Sequence, residues 1–159
     1  MSNYFTYLWK NEQWRQKCNA TDGGPLLLEY AAGDKFKSNG VTKGSTVFIV
    51  TVIEGDLYLG GAIVVSEVLD KPQAMVRLGI PEQSLWKAAE YIVSERGKVT
   101  SFTCSNMIPP EVSHRLEFVE GAGFRNPVVR QGKLDGQTFR NVRTLYPGSE
   151  TALLDRLVA

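Results

Sequence analysis

The strongest hydrophobic pattern in the chain runs from Thr46 to Asp70. Val47, Ile49, Thr51 and Ile53 alternate with Phe48, Val50 and Val52, so both faces of this stretch are apolar. A strand with two apolar faces belongs inside a sheet that is covered on both sides. Glu54-Gly55-Asp56 then offers a tight turn, and Leu57–Leu69 returns as a second long strand. Two β-rich runs joined by a short glycine-containing turn read as a hairpin. The pair Gly60-Gly61 inside the returning strand predicts a bulge or sharp bend, a device that curls a sheet towards a barrel.

Elsewhere the pattern is weaker. Asn3–Trp9 reads as an aromatic first strand, and Asn11 as the cap of a helix over Glu12–Cys18. Asn19–Pro25 is turn material, and Leu26–Ala31 is too short to decide between strand and helix. Pro81-Glu82 opens what reads as the best helix, with Leu85, Ala88, Ala89 and Ile92 at helical spacing through Ser94 and Gly97 as its stop. Val99–Ser105 reads as a strand, with Pro109-Pro110 breaking the chain after it; Val112–Val119 stays open. Phe124–Arg143 reads as irregular or edge strand anchored by Val128, Val129 and Phe139. Ser149 stands where it can cap a last helix carrying Leu153, Leu154 and Leu157 on one face.

There is no regular strand–helix alternation, no internal repeat and no linker. The expectation is a single domain over residues 1–159 of α/β (α+β) class. Its core is a curled mixed or antiparallel, barrel-like sheet flanked by short helices.

Composition adds bounds. At 159 residues and 43% hydrophobic the chain can build a true core, burying roughly 70% of its unfolded surface without a metal or disulfide. Cys18 and Cys104 are far apart and in no metal-like spacing, so two free thiols in a reducing cytoplasm are expected. The opening residues lack a charged start followed by an apolar stretch, and no apolar run has the length of a membrane helix. The net charge of +1 does not advertise nucleic-acid binding. Its distribution is uneven, however: between Gly123 and Arg143 lie Arg125, Arg130, Lys133, Arg140 and Arg143 against Asp135 alone.

Catalytic signatures are missing. His114 is the only histidine, no glycine-rich loop sits between a strand and a helix, and no His, Cys or acidic cluster has metal-ligand spacing. Neither a cofactor nor a metal is expected, and the chain reads as a binder rather than an enzyme. A small enzyme using Cys104 or His114 stays open as an alternative.

Three features suit a binding site. Tyr4, Phe5, Tyr7, Trp9 and Trp14 crowd the start, and the tryptophans flank a strand-to-helix turn in polar company. Such faces either stack on planar ligands or fill the core. The loop Gly33–Gly40 offers Asp34, Ser38 and Asn39 as donors and acceptors around Phe36. The basic residues Arg125, Arg130, Arg140 and Arg143, with Lys35 and Lys37 in the thirties loop, are candidates for phosphate contacts.

The run Gly40-Val41-Thr42-Lys43-Gly44-Ser45-Thr46-Val47-Phe48-Ile49-Val50 resembles the loop that leads into a strand in PUA-like domains of the EVE type. So do the hairpin strand Gly61–Val68 and the aromatic first strand ending at Trp9. The resemblance covers roughly the first 70 residues. It implies a curled β-barrel with flanking helices and a reader of modified bases, methylated cytosine among them, that flips the base into an aromatic pocket. On that basis Trp9, Trp14, Tyr30, Asp34, Phe36, Ser38 and Asn39 are the candidate base-binding residues. The implied partner is DNA, or RNA, with a nuclease or other effector alongside. The competing reading is a protein-interaction module of a defence or mobile-element system.

Overall fold

The computed structural model describes residues 3–20 and 26–158. In chain order its elements begin with β1 (Tyr4–Leu8), α1 (Asn11–Asn19), β2 (Leu27–Leu28), β3 (Tyr30–Gly33), β4 (Thr46–Ile53) and β5 (Asp56–Leu69). Next come α2 (Lys71–Leu78), β6 (Glu90–Ser94), β7 (Thr100–Ser101), β8 (Met107–Ile108) and α3 (Pro110–Ser113). Last are β9 (Phe118–Glu120), β10 (Gly123–Arg125), β11 (Val129–Arg130), β12 (Lys133–Leu134), β13 (Val142–Thr144) and α4 (Glu150–Leu154).

The β4–β5 hairpin is the spine. Val47, Phe48, Ile49 and Val50 are all at 0% exposure, which is what two apolar faces require. The turn has Glu54 and Gly55 both at positive φ, 50° and 81°, the two-residue geometry whose twist matches a right-handed hairpin. The register slips between Ile49, opposite Gly61, and Val50, opposite Leu59, so Gly60 is the bulged residue. A Cβ on Gly60 would strike the rings of Phe102 and Trp14, so the close approach of this aromatic pair demands glycine there.

At 14 residues, β5 outlasts β4 and pairs with β6 beyond it. The sheet runs β13-β1-β4-β5-β6-β3, with β8 also on β5; β1 and β4 are parallel and the other pairs antiparallel. The fold is mixed α+β, a curled half-barrel with a few short helices. The curl brings β1 back beside β3, although three strands separate them in the sheet. The Tyr7 hydroxyl closes this seam by donating to the Ala32 carbonyl at 2.6 Å. A Cβ on Gly33 would lie 2.8 Å from that hydroxyl, so glycine lets Tyr7 reach across.

Several expectations are overturned. The helix over 81–94 does not exist: Glu82–Ser84 is one 3-10 turn, residues 85–89 are irregular, and Glu90–Ser94 is a strand between β5 and β3. Tyr91, Ile92 and Val93 each have 0% exposure, and burial between β5 and β3 outweighs the helical spacing of the residues before them. A helix that the pattern did not predict, α2, is capped by Asp70, whose carboxylate accepts from Gln73 N at 2.9 Å.

In α1 the cap is Lys10, not Asn11; the Asn11 side-chain oxygen lies 2.9 Å from the Thr51 hydroxyl instead. Val99–Ser105 shrinks to the two-residue β7. Ser149 precedes α4, but its hydroxyl accepts from Glu117 N at 2.9 Å rather than capping the helix. Leu153 is buried and Leu157 partly so, while Leu154 points outward. The turn expected over Asn19–Pro25 lies mostly outside the described residues.

The cysteines are not free. Cys18, near the end of α1, and Cys104, after β7, form a disulfide with Cα atoms 6.0 Å apart. The fold brings together what 86 residues of sequence separate, and the expectation of two free thiols is overturned. Among the described residues no helix is long and apolar enough to cross a membrane.

Candidate functional site

Each anticipated aromatic has a definite place. Trp9, Trp14 and Phe36 are 5%, 2% and 0% exposed, so none of them offers a face to a ligand. Trp9 stacks on Phe102 at 5.3 Å, Trp14 packs against the same ring at 4.8 Å, and Phe36 lies edge-on to Tyr7 at 4.9 Å. The Trp14 indole donates to the Cys104 carbonyl at 3.3 Å, which satisfies the polar atom that made its burial look costly. These three side chains hold the core together and are corrected from the base-binding set.

A hollow does open beside them, at the seam between β1 and β3. It is about 280 Å3 in volume. Tyr7 and Gly33 line it, with Trp86 and Ala88, and with Asn141 and Val142 at the start of β13. Lys10 and Gln13 from the beginning of α1, with Asp34, Lys35 and Lys87, complete the lining. The side chains of Lys10, Lys35 and Lys87 are on exposed residues, so three cations stand against Asp34 around the opening.

Trp86 is the residue that the sequence reading passed over. It is partly buried against the cluster of Ala32, Leu69, Ala74, Leu85, Tyr91 and Val93. Its backbone is clamped from both sides: the Tyr30 hydroxyl accepts from Trp86 N at 3.3 Å, and the Tyr91 hydroxyl donates to the Trp86 carbonyl at 2.5 Å. Tyr30 is therefore a positioning residue for Trp86. Burial pushes its phenol above the ordinary tyrosine value. Asp34 has a similar task, since its carboxylate accepts from Ala89 N at 2.8 Å and ties the loop to the seam.

The thirties loop is braced rather than free. Glu90 accepts from Phe36 N at 2.8 Å and from Lys37 N at 3.2 Å. Ser38 and Asn39 are exposed and turn their side chains back onto the Lys35 carbonyl, at 3.3 Å and 2.7 Å. Neither lines the hollow. Tyr7 is held neutral: burial, with the negative charge of Asp34 behind it, pushes its phenol up to about 12.

The basic residues divide. Lys35 faces the seam and Lys37 is exposed one turn away. Arg140 is exposed next to Asn141. Arg130 lies 3.7 Å from Asp135. Arg125 and Arg143 belong to a different, smaller hollow, because Arg143 follows Val142 on β13 and projects to the opposite face.

Other candidates recede. The sulfur of Cys104 is committed to Cys18, and His114 is half-buried at the end of α3. Among the described residues no group of three or more His, Cys, Asp or Glu side chains is arranged to hold a metal. A larger groove of about 780 Å3 lies over α2, with Leu69, Pro72 and Val76 between Glu67, Arg77, Glu95 and Arg96. It is shallow and open, and Arg77 is already spent on Glu67 and the Ser94 carbonyl.

Comparison with protein families, with curated proteins and with solved structures finds no match for this chain.

Proposed function

We propose that the seam hollow binds nucleic acid, taking one base against Trp86 while Lys10, Lys35 and Lys87 hold phosphates. The observation that supports it is a tryptophan, held at its backbone, that lines a space of about 280 Å3 together with three lysines. A base requires a stacking face and edge partners; its backbone requires cations. The amides of Gln13 and Asn141 are the edge partners on offer.

A duplex hides its base faces, so a paired base is first extruded at a cost of a few kcal/mol. Stacking returns about 1–3 kcal/mol per base. The resemblance to EVE-type PUA-like domains supports the same class of ligand and makes a modified base in DNA the leading form of it. The pocket moves from Trp9 to Trp86, and Lys37 extends the cationic rim. A reader of this kind produces no chemistry of its own, which makes an effector such as a nuclease its natural companion.

Fluorescence anisotropy tests the proposal, using labelled single strands and duplexes, plain and cytosine-methylated, at low and physiological salt. Salt-sensitive binding is expected, with Lys35→Gln and Lys87→Gln together flattening the salt dependence by roughly one to two phosphates' worth. No binding to any of these probes at low salt overturns it.

A further inference from the structure

The second hollow, between the β9–β10 hairpin and β13, is about 170 Å3 and is lined by Phe118, Val119, Glu120, Arg125, Asn126, Thr138 and Arg143. We infer that it is a binding site for a phosphate group. The argument starts with Arg143. Its Nε donates to the Thr138 carbonyl at 3.0 Å, and its guanidinium carbon lies 5.9 Å from the centre of the Phe118 ring. One hydrogen bond and one aromatic face fix the plane of the fork, so a ligand meets it with little ordering left to do.

Arg125 faces the same space from β10, where it pairs across the hairpin with Phe118. Its nearest carboxylate, Glu120, is 3.9 Å away, and both side chains are more than half exposed. That separation is beyond hydrogen-bond length, so Arg125 is free to turn to a stronger acceptor. Two guanidiniums against one loosely engaged carboxylate leave the hollow cationic. Asn126 is anchored, donating to the Leu116 carbonyl at 2.9 Å, which keeps the hairpin end in place.

A further polar group lies beside Arg143 on the neighbouring strand. Thr6 is directly across from Arg143 in the β1–β13 pairing, is 0% exposed, and its hydroxyl has no hydrogen-bond partner among the described residues. A buried orphan hydroxyl is costly where everything around it is apolar. A tetrahedral oxyanion fits within about 170 Å3, and its several acceptor oxygens match two forked donors. The site does not depend on the seam hollow, since Arg143 and Val142 project to opposite faces of β13.

Inorganic phosphate, dimethyl phosphate and chloride at matched ionic strength are the probes, read by thermal shift and by isothermal titration. Phosphate is expected to raise the melting temperature beyond chloride. Arg143→Gln is expected to weaken phosphate binding roughly tenfold or more, as loss of a hydrogen bond to a charged group does. Arg125→Gln, on an exposed side chain and so neutral to folding, is expected to weaken it several-fold, and Glu120→Gln to tighten it. Preference for dimethyl phosphate assigns the site to a phosphodiester backbone; preference for inorganic phosphate assigns it to a free phosphate or a monoester. A response equal to that of chloride, or one that persists undiminished in both arginine variants, overturns the inference. Loss of phosphate binding in the arginine variants is read separately from loss of oligonucleotide binding in Trp86→Ala, so failure here and failure at the seam are told apart.

Discussion

Trp86 sits on irregular backbone, yet two tyrosine hydroxyls hold its peptide groups, at 3.3 Å from Tyr30 and 2.5 Å from Tyr91. A residue whose backbone is fixed in this way loses little backbone entropy when a ligand arrives. Trp86→Ala is expected to weaken oligonucleotide binding by about 1–3 kcal/mol, roughly 5- to 150-fold, in an anisotropy titration. Trp9→Phe, deep in the core, is expected to alter stability but not affinity. Tyr7 makes a separate prediction. Its phenol holds its proton up to about 12 in the folded protein, against about 10 in the unfolded chain. The stabilisation is whole below the lower value and is lost as pH rises through the interval. Denaturant midpoints are expected to fall in that window, and to fall less in Tyr7→Phe. At neutral pH that variant costs about 1 kcal/mol for the lost bond to Ala32.

Among the elements, α1 is held at both ends: its first turn lines the seam, and its last turn is tied by Cys18 to Cys104. The bond closes a span of 86 residues, and on chain-entropy grounds its removal costs about 4.6 kcal/mol. Urea unfolding with and without a dithiol reductant measures this; an unchanged midpoint contradicts it. Gly60→Ala is expected to cost about 1–3 kcal/mol, because the added methyl meets Phe102 and Trp14 at the bulge.

The hairpin was legible because its strands are long and apolar on both faces, and its bulge because glycine pairs are rare inside strands. The β6 strand was not. Leu85, Ala88, Ala89 and Ile92 imitate a helix face, and only pairing with β5 and β3 reveals Glu90–Ser94 as sheet. That misreading hid Trp86. The Asp70–Gln73 capping box, with Pro72 between, was a readable signal for α2 that periodicity alone did not use.

At the scale of the whole molecule, net charge of +1 conceals two cationic hollows on opposite faces of β13. The basic residues were visible in sequence, but their division between Lys10, Lys35 and Lys87 at the seam and Arg125 and Arg143 elsewhere depends on the curl that returns β1 to β3. No spacing rule carries that information, since the seam lining comes from four separate stretches of chain. The same curl explains why the opening aromatics were misassigned: it encloses Trp9 and Trp14 and leaves Trp86 at the rim.

Tryptophan emission during titration with a single-stranded oligonucleotide tests the central claim most directly. Trp9 and Trp14 are enclosed and contribute a constant background, so a base stacking on Trp86 is expected to quench the signal in the wild type and to leave Trp86→Ala unaffected. Equal quenching in both proteins, or none in either, contradicts the account.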